Sequence, residues 1–264
     1  MIENKKEFKL VSKRNPRSLL PNTLTIFGVC LGLSSIKFAL DFNYTMAVIA
    51  IGFAAVLDTL DGRVARLIKG TSKVGKELDS LTDVISFGVA PGFVMYFWTI
   101  NEVGKFGWMF VLIYIVCCAL RLARFNLTTI EENETWKINF FEGVPSPAAA
   151  GLVLLPLILS LSNLVVIENT SIISSVCILL TSILMVSKIP TYSLKRIIIP
   201  RNLTIFLLLG IGIYLSLVIF YTFETLFITG IGYLVLIPIS YFHYKYKNKT
   251  SLNKDVEDNT EDIL

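Results

Sequence analysis

Uninterrupted apolar runs constrain this chain more than any other feature. Stretches of about twenty residues recur from end to end with few charges inside them, and 54% of the 264 residues are hydrophobic. A soluble domain cannot cover its surface with such a composition, whereas a lipid-facing helix requires it, because its backbone must satisfy its own hydrogen bonds in the bilayer core. The runs predict an all-α, polytopic transmembrane helical bundle of about eight spans, at 20–39, 44–68, 78–100, 107–126, 147–165, 171–187, 202–220 and 224–246. Residues 1–18 read as a basic arm, 19–246 as the membrane domain, and 247–264 as a polar, disordered tail. No small-residue cleavage site follows the arm, so the first run reads as a span rather than a removable signal.

The net charge of +4 conceals an asymmetry. The connections at 41–44, 101–106, 163–170 and 221–224 contain Lys105 as their one basic residue, whereas 1–17, 63–76, 121–137, 188–201 and 245–249 collect Lys and Arg. The positive-inside rule therefore predicts a multi-pass membrane protein with both termini in the cytosol. Trp98, Trp108, Tyr114 and Tyr241 near span ends are expected to form an aromatic belt. Cys30, Cys117, Cys118 and Cys177 lie inside apolar runs without CxxC spacing and read as buried free thiols. His243 is the sole histidine and reads as an interfacial side chain, so histidine catalysis has little support. Nothing in the pattern points to a nucleic-acid partner.

The chemistry concentrates at Asp58-Thr-Leu-Asp61-Gly62-Arg-Val-Ala65-Arg66, followed by Gly75-Lys-Glu-Leu-Asp79-Ser-Leu-Thr-Asp83. Asp58 and Asp61 are three apart and Asp79 and Asp83 four apart, so each pair shares a helix face. The short polar link makes the second and third helices antiparallel neighbours, and four carboxylates can converge. Thirteen residues separate the outer end of the second helix from Asp58, or about 20 Å at the α-helical rise, which places the acids near the inner boundary of the hydrocarbon. Carboxylates so clustered repel one another. Two Mg2+ or Mn2+ ions would resolve the conflict with hard oxygen ligands, and paired metals suit in-line displacement at phosphorus. Gly62 leaves room for a ligand, Arg66 lies one turn on to meet a phosphate, and Gly75 stands at the opening of the next helix.

The pattern Asp-x-x-Asp-Gly-x-x-Ala-Arg, eight residues, Gly, three residues, Asp, three residues, Asp resembles the signature of the CDP-alcohol phosphatidyltransferase family. The resemblance implies a six-helix catalytic core. It implies metal binding by Asp58, Asp61, Asp79 and Asp83, with Asp83 also as general base. It implies contact of CDP-diacylglycerol with Gly62, Ala65, Arg66, Ser72 and Gly75, and with Pro21, Asn22 and Thr25 at the start of the first helix. Arg121-Leu-Ala-Arg124-Phe-Asn126 and Phe141-Glu142-Gly143-Val-Pro145-Ser-Pro147-Ala-Ala-Ala resemble the membrane-bound phosphatidylserine synthases of bacteria and archaea. That narrower likeness implies L-serine as acceptor, with Arg121, Arg124 and Asn126 in the serine pocket and Glu142 toward the ammonium. Membrane lipids are the surroundings, and a homodimer is implied by the resemblance alone. The competing expectations are another acceptor, glycerol 3-phosphate or an inositol phosphate, and a cation transporter, whose acids would be spread across the bilayer rather than gathered at one face.

Overall fold

The computed structural model describes residues 19–68, 73–127, 140–162, 164–165, 168–192 and 203–261. Helix α1 (Leu19–Leu40) turns back into α2 (Tyr44–Leu67). Asn43 caps α2 by accepting from the Met46 amide at 3.2 Å, and Lys37 and Asp41 form an ion pair at the same turn. The two helices lie closely together because α2 presents Ala47, Ala50 and Ala54 as buried positions.

The third span is not a uniform helix. It runs as α3 (Lys73–Asp83), a π-helical segment at Val84–Val89, and α4 (Ala90–Trp98). A 3-10 turn at Ile100–Val103 leads to α5 (Lys105–Leu127). Helices α6 (Ser146–Val153) and α7 (Leu155–Ser162) form one span interrupted at Leu154, and α8 (Thr170–Val186), α9 (Thr204–Phe220) and α10 (Thr222–Glu261) complete the bundle. The eight expected runs thus fall on eight apolar helical segments. Five helices are long and apolar enough to cross a membrane, and α8 and α9 are shorter apolar helices. None of α9's residues is buried, as a helix surrounded by lipid requires.

Two additions to the helical plan lie on the Lys/Arg-rich side. Strands β1 (Phe140–Glu142) and β2 (Pro190–Tyr192) pair antiparallel, with Phe141 opposite Thr191. The turn after β1 uses Gly143 at φ +72°, where a Cβ would meet the Met185 carbonyl oxygen at 2.6 Å. That close approach to the end of α8 demands glycine. Secondly, α10 continues to Glu261, through the segment expected to be a disordered tail. No Gly or Pro after Pro238 interrupts it.

The core surrounds the third span. Phe87, Ala90, Val94, Met95, Val111, Cys118, Ala149, Val153, Ile178 and Met185 are fully buried. Tyr114 is buried among them and is not a belt residue; its hydroxyl donates to the Phe87 carbonyl at 2.7 Å. A π-turn leaves carbonyls without their usual i+4 partners, and Tyr114 supplies a donor at that place. Cys118 is buried as expected, but Cys117 and Cys177 are half-buried and Cys30 faces outward, because the first helix turns that face away from the bundle. His243, exposed on α10, shares a 2.7 Å hydrogen bond with the Tyr192 hydroxyl.

The second and third spans are not simple neighbours. Helix α1 packs along both α2 and the α3–π–α4 span, acting as the common wall. A Cβ on Gly32 would lie 2.7 Å from Ser86 Oγ and 2.9 Å from Ser86 Cα, and the Ser86 hydroxyl donates to the Gly28 carbonyl at 3.2 Å. Gly28-x-x-x-Gly32 thereby lets the backbone of α1 approach the π segment directly after Asp83.

Candidate active site

Four carboxylates converge where α2 and α3 meet beside the start of α1. Asp58, Asp61 and Asp79 each present an oxygen, and these oxygens all lie within 4.8 Å of one another. The Asp83 carboxyl lies beside that of Asp58 and completes the group. Carboxylates gathered this closely repel one another, and a cation among them would relieve the repulsion. The helix spacing read from the sequence explains each pair, and the wall of α1 brings the pairs together.

The cluster is held from behind. The Thr25 hydroxyl donates to Asp61 Oδ2 at 2.6 Å, and both residues are buried, at 5% and 4% exposure. Thr25 also lies 3.0 Å from the Pro21 carbonyl in the preceding turn. Asn126 at the end of α5 donates to Ser80 Oγ at 2.9 Å, pinning α3 between its two aspartates.

The donor set fits a divalent cation. It contains carboxylate oxygens and no sulfur or imidazole, the composition preferred by hard ions. Asp83 Oδ1 is buried with no hydrogen-bond partner. A buried carboxylate oxygen left unpaired is costly, and a cation beside it removes the cost.

The other expected site residues divide by position. Pro21 and Asn22 lie in the first turns of α1, next to the cluster through the Thr25 contact. A Cβ on Gly62 would meet nothing within 4 Å, so this flank of the acids is open. Ala65 is half-buried and Arg66 exposed on the last turn of α2, and Gly75 is half-buried on α3. Ser72 lies outside the described residues.

The residues expected for the acceptor separate further. Arg121 is buried at 8% exposure, and its Nη1 donates to Ser146 Oγ at 2.6 Å. Arg124 donates to the Val186 and Ser187 carbonyls at 2.9 and 3.3 Å, capping the last turn of α8. Asn126 is engaged with Ser80, and Glu142 is exposed on β1. Arg121 is therefore the one of the four that is buried, and it lies within electrostatic reach of Asp83. On α10 the Tyr233 hydroxyl, not among the residues expected from the sequence, is also buried with no hydrogen-bond partner.

The chain is similar to known proteins over most of its length. The family model for CDP-alcohol phosphatidyltransferases matches residues 18–230. The CDP-diacylglycerol–serine O-phosphatidyltransferase of Mycobacterium leprae is 34% identical over 229 residues, covering 86% of this chain and 76% of that protein. The enzyme of the same name from Helicobacter pylori strain 26695 is 40% identical over 212 residues, covering 80% of this chain and 86% of its own length. That of Saccharomyces cerevisiae is 44% identical over a shorter stretch of 100 residues, 37% of this chain and 36% of the yeast protein.

Proposed function

The chain belongs to the CDP-alcohol phosphatidyltransferase family, and from that premise we propose that it transfers a phosphatidyl group from CDP-diacylglycerol to L-serine, giving phosphatidylserine and CMP. The convergence of Asp58, Asp61, Asp79 and Asp83 carries the reading of the reaction. The acceptor rests on relatives named as serine phosphatidyltransferases over most of their length, and on Arg121 as a buried cation beside the acids.

Two divalent cations, Mg2+ or Mn2+, bound to the four aspartates would neutralise the diphosphate and the charge that develops on departing CMP. Asp83 accepts the proton of the serine hydroxyl. The serine oxygen forms a bond to the phosphorus that carries diacylglycerol, and the bond from that phosphorus to the CMP oxygen breaks in the same displacement. Thr25 keeps Asp61 oriented by its 2.6 Å hydrogen bond. The open flank at Gly62 admits the diphosphate, with Arg66 one turn on and Ala65, Gly75, Pro21, Asn22 and Ser72 around the nucleotide. Arg121 meets the serine carboxylate. The transporter reading has no support in the site, since the four acids sit at one end of the second and third spans.

The protein is an integral membrane protein, and we place the acids and both termini on the cytosolic side of the cell membrane because Lys and Arg collect there. A homodimer is a further expectation, checked by native mass measurement in lipid nanodiscs. Purified protein supplied with CDP-diacylglycerol and, separately, L-serine, glycerol 3-phosphate or an inositol phosphate should form lipid product and CMP with serine and not with the phosphate-bearing alcohols. Formation of phosphatidylglycerophosphate without phosphatidylserine overturns the acceptor assignment.

A further inference from the structure

We propose that Tyr233, on α10, is an acceptor-binding residue that grips the carboxylate of the amino-acid acceptor together with Arg121. The inference rests on the serine reading above. Arg121 comes from α5 and is more than nine-tenths buried. Its Nη1 is committed to Ser146, but its Nε is buried with no hydrogen-bond partner. Among the described residues the one ion pair is Lys37–Asp41, so no carboxylate of the described chain pairs with this guanidinium.

The Tyr233 hydroxyl is likewise buried and without a hydrogen-bond partner, and it lies within electrostatic reach of Arg121. It stands beside the Thr191 hydroxyl without hydrogen-bond geometry. Thr191 is itself fixed: it is 1% exposed on β2, and its hydroxyl donates to the Gly143 carbonyl at 2.8 Å. Strand β2 packs against α10, and its Thr191 and Arg121 of α5 are both neighbours of the Tyr233 hydroxyl in electrostatic terms.

A phenylalanine would fill the same space without the penalty of a buried, unpaired hydroxyl. A guanidinium N–H and a phenolic O–H, both orphaned and within electrostatic reach of each other, match the two oxygens of one carboxylate. Their combined charge of one also suits a carboxylate better than a phosphate dianion. Asp83 also lies within electrostatic reach of Arg121, so an acceptor held by its carboxylate can direct its hydroxyl toward the general base. Helix α10 lies at the far end of the chain from the aspartate motif, and it contributes to the choice of acceptor.

The test uses full-length protein in lipid nanodiscs, wild type and Tyr233→Phe, with steady-state constants for CDP-diacylglycerol and L-serine, turnover with the carboxylate-free amino diol serinol, and thermal unfolding. Loss of a charge-assisted hydrogen bond should raise the serine KM by about 10- to 100-fold. The CDP-diacylglycerol KM and the melting temperature should hold, and the preference for serine over serinol should fall by the same factor as the serine KM rises. An unchanged serine KM overturns the proposal. So does a fall in melting temperature with both substrate constants disturbed, or failure of the variant to fold, since either makes Tyr233 a packing residue. Wild-type protein that forms no phosphatidylserine refutes the serine reading itself, an outcome distinct from wild-type synthesis that Tyr233→Phe leaves unaltered.

Discussion

Gly32→Ala tests whether α1 is the wall that sets the geometry of the site. The added methyl would sit 2.7 Å from Ser86 Oγ, 2.9 Å from Ser86 Cα and 3.1 Å from Ser86 Cβ. Carbon atoms in comfortable contact stand about 3.5–4.0 Å apart, so α1 and the π segment must separate by about 0.6–1 Å. Rotation of a side chain cannot relieve the clash, because Ser86 Cα belongs to the backbone. Overpacking of this kind costs about 1–3 kcal/mol. The catalytic consequence is larger, because Thr25 on α1 holds Asp61 and Asp83 lies three residues before Ser86. A displacement near 1 Å at reacting groups costs about 100-fold. We therefore expect kcat, followed as CMP release at saturating substrates, to fall about 10- to 100-fold, with a lower melting temperature. Ser86→Gly in the same chain removes the Oγ and Cβ clashes but not the Cα clash and should restore part of the loss. Gly52→Ala is the control, since nothing lies within 4 Å of its Cβ. Wild-type kcat and melting temperature in Gly32→Ala would refute the reasoning.

Three other substitutions separate the parts of the site. Thr25→Val removes the donor to Asp61 at nearly constant volume, and the metal concentration for half-maximal activity should rise about 10-fold; an unmoved metal titration contradicts the assignment. Asp83→Asn should lower turnover by about 100- to 10,000-fold, the span of general-base catalysis, without loss of the thermal unfolding transition; a rate near wild type excludes Asp83 as the base. Arg124→Ala strips two carbonyls at the end of α8 of their donor and should destabilise by about 1–3 kcal/mol while the serine KM holds. The reverse pattern, a raised serine KM at constant stability, would place Arg124 in the acceptor pocket.

The aspartate cluster was legible because helix periodicity alone decides which face Asp58, Asp61, Asp79 and Asp83 occupy, and the eight apolar runs were legible because lipid demands them. The division of labour on α5 was not. Arg121 and Arg124 are three apart and chemically alike, yet one is buried against Ser146 and the other ends α8. Sequence spacing places both on one side of a helix, and only the neighbour each meets distinguishes them. Tyr114 was misread for the same reason: near a span end by counting, it is drawn into the core by a carbonyl of the π segment. The role of α1 was encoded in Gly28-x-x-x-Gly32, but two glycines in a span do not say which helix approaches them.

The π segment joins these observations. An α-helix advances about 100° per residue, and a wider turn retards that advance, so the faces before and after Val84–Val89 are offset from the ones a regular helix would present. Before it, Asp79 and Asp83 face the acids of α2. Within it, Ser86 meets α1, and a Cβ on Gly88 would lie 3.2 Å from the Cys118 side chain of α5. After it, Gly92 stands where a Cβ would come within 3.2 Å of Val111, also on α5. One span thereby serves the reaction at one end and packs against two other helices through the remainder. The departure from regular geometry is maintained because Tyr114 supplies a donor to the Phe87 carbonyl. A buried tyrosine that touches none of the acids is in this way part of how Asp83 is held in place.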